Sequence, residues 1–304
     1  MDKYEPDEIL NLAIMSKIPY FIVEGVDDIN VYEEIAKSVQ VECEIYSVEM
    51  LDGLAGGNDG VVQAMQILDA LPMTAGQTVQ NYVMGILDRD ARFYRNEMPN
   101  LASIFCLKLY SLESHFVSKS TIKPTIDLLT RNSVDDEIDI DEIFAAVEYG
   151  MSDIYYFSLD ALRKSVDPTY QSIVSYSSGV GRRKDANTMN VIFNRKDDLD
   201  IFAAQLNLNS KVYSMREFVK GKWLLTAFSE ELYKEIEKLT IKCKSSTIKQ
   251  CRMCELDVDS PCLFQVHDGY NKNILYPILQ RFFEIPDLQY IKDKIISIRD
   301  SAMA

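Results

Sequence analysis

Glu24, Asp88, Asp90 and Glu113 each follow an apolar run that reads as a buried strand. Tyr20-Phe21-Ile22-Val23 precedes the first, Tyr82 to Leu87 the two aspartates, and Ile104 to Tyr110 the last. Carboxylates at the ends of neighbouring strands can meet along one edge of a sheet, and hard oxygen donors of this kind suit Mg²⁺ or Mn²⁺. Gly25, next to Glu24, is expected to let the backbone turn sharply beside a ligand, and Asp28 lies one helical turn further on. Asp88 and Asp90 flank Arg89, so both carboxylates can face one ion if the loop turns there. A metal held by Glu24, Asp28, Asp88 and Asp90 would polarise a phosphoryl oxygen and help form a hydroxide, with Glu24 accepting the proton. Acid-rich turns also solvate loops and cap helices, so spacing alone leaves both readings open.

The elements that must position these groups alternate over residues 1–120. After the first apolar run, Ile29, Tyr32, Ile35, Ala36 and Val39 recur at helical spacing, and Cys43 to Val48 alternates as a strand does. A glycine-rich connection over 52–60 precedes Val61, Val62, Met65, Leu68 and Leu71, which share a helical face. Strand and helix alternating in this way predict an α/β fold with a mostly parallel sheet, flanked by helices and binding ligands beyond the carboxyl ends of its strands. After Lys123-Pro124 the segments become longer and mainly helical. The expected division is a catalytic domain over 1–120 and a mainly helical domain over 121–304 for substrate, partner or dimer contacts. Within the latter, the charge run Asp135 to Glu142 reads as a solvated linker and helix start with Asp141 as cap, Asp167-Pro168 ends a helix, and one long helix covers much of Met215 to Leu239.

Two further constellations carry candidate chemistry. Arg182, Arg183 and Lys184 form the most concentrated basic patch, in a segment that reads as a mobile loop, with Tyr176 placed to stack on an unpaired base. Lys220 and Lys222 stand near Phe218 and Trp223 and can either meet a phosphate backbone or flank a packing face. Cys251-x-x-Cys254, followed by Cys262 and His267, has ligand types compatible with structural zinc, with Cys243 as a spare. Reduced cysteines packed in a helical domain are the competing reading. His115, beside Glu113, could touch substrate or fix a helix start.

Composition sets the bounds. The 304 residues, 47% of them apolar, can bury a substantial core, and the formal net charge of −15 argues against unassisted, promiscuous nucleic-acid binding. A metal-neutralised acidic site with locally concentrated cations is still compatible with a phosphodiester substrate. Six cysteines without a basic and apolar leader do not suggest a disulfide framework, and no apolar stretch approaches the roughly 20 residues of a membrane span. The expectation is a soluble, cytoplasmic protein without membrane contact.

The run Val23-Glu24-Gly25-Val26-Asp27-Asp28-Ile29-Asn30-Val31-Tyr32, followed by Ile86-Leu87-Asp88-Arg89-Asp90, resembles the Glu-Gly and Asp-x-Asp motifs of the TOPRIM fold, shared by topoisomerases, primases and overcoming-lysogenization-defect nucleases. Glu-Gly-x-x-Asp-x-x-x-Tyr, the Leu112-Glu113-Ser114 step and Lys220-Gly221-Lys222-Trp223-Leu224-Leu225 resemble a narrower TOPRIM family encoded beside ABC-type ATPases in bacterial defence loci, that of PARIS-type anti-phage nuclease effectors. The resemblance covers residues 20–120 by motif and the remainder by plan. It implies that Glu24 is base or metal ligand, that Asp88 and Asp90 bind metal, and that Asp28 and Glu113 support them. It also implies a Mg²⁺-dependent endonuclease held by an ABC-type ATPase and cleaving transfer RNA once released. One acidic protomer offers little surface for gripping a folded RNA, so a homodimer is the expected active form. Two other readings stay open: a non-catalytic TOPRIM module docking on an ATPase, and a nuclease whose substrate is DNA.

Overall fold

In the computed structural model Tyr20–Val23 is buried at all four positions, as a strand covered on both faces must be. The structure describes residues 3–132, 138–256 and 261–303. Around this strand the chain lays down, in order, helix α1 (Pro6–Ser16), strand β1 (Tyr20–Val23), helix α2 (Val26–Ser38), strand β2 (Glu44–Ser47), helix α3 (Asn58–Asp69), strand β3 (Val83–Leu87), the single turn α4 (Arg92–Arg95) and strand β4 (Ile104–Cys106). The sheet order is β2-β1-β3-β4 and every pairing is parallel. From β1 the chain steps to β2 on one side, then crosses back to β3 on the other. The strand order therefore reverses between β1 and β3, which opens a crevice at their carboxyl ends.

One face of the sheet is closed by α1 and α3, whose Ile9, Leu10, Ala13, Val61, Met65 and Leu68 pack with Tyr20, Ile22, Val83 and Leu87. Helix α2 packs against β1 and β2, and the C-terminal helix Gln289–Met303 packs against α2. The chain divides into two compact units, one of the residues up to Lys108 together with those from Phe283 onward, the other of Leu109–Phe282. The sequence reading placed the division at residue 120 and kept the C-terminus with the helical part. Buried Ile291, Ile295 and Ile298 mark that helix as amphipathic, but such a pattern does not say which partner it covers.

Strand β4 is shorter than the apolar run Ile104 to Tyr110 suggested. The Leu107 amide still reaches the Leu87 carbonyl at 2.9 Å, whereas the Lys108 amide turns to the Tyr290 hydroxyl at 2.9 Å, and the ladder ends there. Glu113 therefore does not stand at a strand end. It lies in the second unit, on a 3₁₀ turn over Leu112–Phe116.

The second unit is helical: α5 (Ile122–Leu129), α6 (Ile140–Gly150), α7 (Ser152–Val166), α8 (Ala186–Phe193), α9 (Lys196–Gln205), α10 (Val212–Phe218), α11 (Gly221–Lys244), α12 (Arg252–Glu255) and α13 (Lys272–Leu279). Helix α11 buries Trp223, Leu224, Phe228, Leu232, Ile236 and Leu239, and α6 and α13 pack along it. The long helix expected to cover much of Met215 to Leu239 is α11; it starts only at Gly221, and Met215 to Phe218 belong to α10, because Val219 and Lys220 are extended, with ψ of 130° and 124°. Gly221 then starts α11 in a space where a Cβ would stand 1.9 Å from Ser111 Oγ. The cap of α6 is Asp139, whose side chain accepts from the Glu142 amide at 3.0 Å, and not Asp141, which pairs with Lys119. Asp135, Asp136 and Glu137 of the charge run lie outside the described residues. Helix α7 ends at Val166, one residue before Asp167-Pro168, as expected.

Asp160 on α7 is wholly buried, and its carboxylate accepts from the Ile173 and Val174 amides at 2.7 and 2.9 Å and from the Tyr170 hydroxyl at 2.7 Å. It fixes the segment that follows α7. Asp160→Ala strips two backbone N–H groups of their acceptor, and we expect a loss of about 2–5 kcal/mol of stability. A chemical-denaturation midpoint equal to that of the wild type would contradict this.

Candidate functional site

Glu24 follows β1 directly, and its Oε1 accepts a hydrogen bond from the Asp88 amide at 2.9 Å. That bond joins the ends of β1 and β3, so the first two acidic stations of the sequence meet at the crevice where the strand order reverses. Asp28, in the first turn of α2, turns its Oδ2 back to the Gly25 amide at 3.2 Å. Gly25 does not supply the sharp turn expected of it. Its φ of −144° is ordinary extended backbone, and a Cβ there would sit 3.8 Å from Asp28 Oδ2.

The glycine that matters conformationally is Gly57, with φ at +87°. Its amide reaches the Glu24 carbonyl at 3.1 Å and brings the start of α3 to the site. Asn58, next in the chain and buried, then donates from Nδ2 to Asp90 Oδ2 at 2.8 Å. Asp90 has a positive φ of 38°, uncommon for a residue with a side chain. Its Oδ1 accepts from the Arg92 amide at 2.5 Å, while the Arg92 guanidinium lies 3.5 Å from Asp90 and 2.9 Å from Asp59. Arg89 leaves the cluster: its guanidinium stacks on the Phe93 ring at 3.5 Å and donates to the Lys108 carbonyl at 3.0 Å.

Burial pushes the Glu24 carboxyl up from 4.5 to about 7. The Asp88 amide opposes that rise, the charges of Asp28 and Asp90 add to it, and Arg92 offsets part of it. Beneath the acids lies Tyr32, 2% exposed, whose phenol is held well above its usual range by burial first and then by Asp88, Asp28, Tyr290 and Glu24. The donor set fits a hard divalent cation. All four candidate ligands are carboxylates, the charges of Asp28 and Asp90 bear on Glu24, which a cation would relieve, and Mg²⁺ needs only one or two carboxylates beside its waters.

Asn58, Arg92 and Tyr290 were missed as site residues from the sequence. Arg92 could have been suspected from its place two residues after Asp90; Asn58 and Tyr290 reach the site only through the fold.

The remaining candidates belong to the second unit. Glu113 is 8% exposed, accepts from Ser111 Oγ at 2.5 Å, and packs against Gly221 at the start of α11, where a negative charge favours the helix dipole. His115 is wholly buried, with Nδ1 at 3.2 and 3.0 Å from the Ser111 and Leu112 carbonyl oxygens, so Nδ1 carries a proton. The expected mobile loop contains a 3₁₀ turn over Val180–Lys184. In it Arg183 is buried between Asp153, at 2.7 Å, and Glu230, and Lys184 pairs with Glu230 at 2.5 Å. Arg182 is exposed, as is Lys222. Tyr176 packs at a tilt against the Tyr110 and Trp223 rings and donates its hydroxyl to the Phe218 carbonyl at 2.6 Å, while Lys220 donates to the Tyr176 carbonyl at 2.9 Å.

Cys243, Cys251, Cys254 and Cys262 form a four-thiol cluster with all Sγ atoms within 4.8 Å of one another, a group that could hold a metal such as zinc. His267, the expected fourth ligand, is not in it; Cys243 takes that place, because α11 ends beside the Cys-x-x-Cys turn. The His267 amide instead reaches the Leu129 carbonyl at 2.9 Å. Burial works to raise the Cys251 thiol, but N–H groups of Leu263 and Cys254 and the neighbouring thiols bring it down to about 7.

Comparison of the sequence with models of known families and with curated proteins gave no match. Among the described residues, no helix is long and apolar enough to cross a membrane.

Because ionised Glu24 is disfavoured in the folded state, its contribution to stability is lost as pH rises from 4.5 through about 7. Glu24→Gln keeps an acceptor for the Asp88 amide and removes the charge. We expect the variant to melt a few degrees above the metal-free wild type at about pH 8, with the two converging at about pH 4.5. Thermal melts across that range check this, and a gap independent of pH would refute it.

Proposed function

We propose that the first unit is a TOPRIM-type catalytic domain and that the protein is a metal-dependent nuclease, an endoribonuclease acting on transfer RNA in anti-phage defence. The observation that carries this reading is the meeting of Glu24 with the Asp88-Arg89-Asp90 turn at the ends of β1 and β3, where burial and neighbouring acids lift the Glu24 carboxyl to about 7. The choice of transfer RNA and of an ABC-type ATPase that restrains the enzyme rests on the motif resemblance, and a homodimer as the active form on the small surface that one acidic protomer offers to a folded RNA.

Glu24, Asp28, Asp88 and Asp90 are the residues that would hold Mg²⁺ or Mn²⁺. When bound, the ion supplies positive charge to a phosphoryl oxygen and lowers the pKa of water. Glu24, with Oε1 held by the Asp88 amide, has Oε2 to take a proton from an attacking water. Asn58 and the Arg92 amide fix the rotamer of Asp90 from opposite oxygens. Tyr32 is buried where the charges of Asp88, Asp28 and Glu24 reach its phenol.

The test is cleavage by the purified chain, free of any partner, of transfer RNA and of single- and double-stranded DNA with and without Mg²⁺. Wild type is expected to cut RNA only with the metal, and Glu24→Ala to lose about 10²–10⁴-fold in rate while its circular dichroism is unchanged. Cleavage by Glu24→Ala at the wild-type rate would sink the mechanism. DNA cut in place of RNA reassigns the substrate, and a chain that neither binds Mg²⁺ nor cuts is a docking module.

A further inference from the structure

The four-cysteine cluster belongs to the second unit and is not needed for the chemistry proposed for the first. Cys243 lies in the last turn of α11, Cys251 and Cys254 bracket the start of α12, and Cys262 follows it. Cys243, Cys251 and Cys262 are buried and all six cysteines of the chain are free thiols. The Cys251 and Cys262 sulfurs are 3.8 Å apart. That is far beyond a disulfide bond, and it equals the edge of a tetrahedron with metal–sulfur bonds of about 2.3 Å, roughly 3.8 Å.

Two backbone amides also point at sulfur: Cys251 N–H to Cys243 Sγ at 3.2 Å and Leu263 N–H to Cys251 Sγ at 3.4 Å. Donors so placed stabilise thiolate rather than thiol, the form a metal requires. The local charge agrees. In a chain of net charge −15, Lys242, Lys244, Lys249 and Arg252 stand within two residues of a cysteine of the cluster against one acid, Glu255, although Lys242 pairs with Glu142 at 2.7 Å, so the local balance is basic, as suits the surplus negative charge that four thiolates leave on a divalent ion.

We propose that Cys243, Cys251, Cys254 and Cys262 bind one structural Zn²⁺. Four sulfur donors leave no open coordination position, so the ion has no substrate role. Its work is to clip the end of α11 to the segment around Cys262. That segment is bonded to the end of α5 through Arg131 N–H to the Leu263 carbonyl at 3.0 Å and His267 N–H to the Leu129 carbonyl at 2.9 Å. The zinc thus ties the end of α11 to the segment that is bonded to α5.

The full chain, purified under reducing conditions without added metal, is expected to retain one equivalent of zinc by elemental analysis and to release it to a mercurial thiol reagent. Cobalt(II) replacing that zinc should give the intense visible bands of a tetrahedral thiolate site. Cys254→Ser should weaken zinc retention at least about tenfold. Since that variant could fail to fold, the wild type carries a second readout: removal of zinc should speed amide exchange at 129–131 and 262–267 and leave β1 and β3 protected. Protein free of zinc that gives no cobalt thiolate bands overturns the proposal, as does iron in the site or a Cys251–Cys262 disulfide under reducing conditions.

Discussion

The hydrogen bond from the Asp88 amide to Glu24 Oε1 is the contact on which the first unit's chemistry depends. It exists because β1 is buried on both faces and lies inside the sheet, paired on one side with β2 and on the other with β3. A strand so enclosed has no polar side chain until it leaves the sheet, and the first residue to leave is Glu24. The strand order reverses at this point, so the carboxylate emerges into the crevice between the two strand ends and is only partly hydrated. Desolvation and nearby acids then raise its proton affinity, so a sheet topology becomes a chemical property.

Much of this was legible in the sequence, and the reasons are specific. Tyr20–Val23 and Val83–Leu87 are continuous apolar runs of strand length, and α2 and α3 show helical spacing; these signals are local and strong. The end of β4 was not legible, because Leu107 to Tyr110 continues the apolar pattern while the backbone amide of Lys108 finds Tyr290, distant in sequence, rather than a strand. Gly25 misled for a related reason. A glycine after a strand suggests a left-handed turn, yet the turn that needs one is at Gly57, more than thirty residues on, whose amide returns to Glu24.

The break between α10 and α11 shows how tertiary packing overrides a helical pattern. Met215 to Leu239 is apolar at helical spacing throughout, so periodicity alone predicts continuity. Ser111 and Glu113 occupy the space beside residue 221, and only a glycine fits there. The chain extends over Val219 and Lys220 and restarts, which places the carboxylate of Glu113 at the positive end of α11. Glu113 read as a ligand because of its type and spacing; its contacts are those of a buried acid that anchors a helix.

The cations of the second unit obey the same economy of burial. A basic run in an acidic chain suggests a surface for phosphate, but Arg183 turns the two terminal nitrogens of its guanidinium inward, to Asp153 and Glu230. Breaking that arrangement would leave charges uncompensated in a desolvated place, which costs more than a surface contact with phosphate returns. Arg182, exposed on the same turn, carries no such penalty. Adjacent arginines of identical chemistry are thus divided by burial alone, a distinction that charge counting along a sequence does not contain.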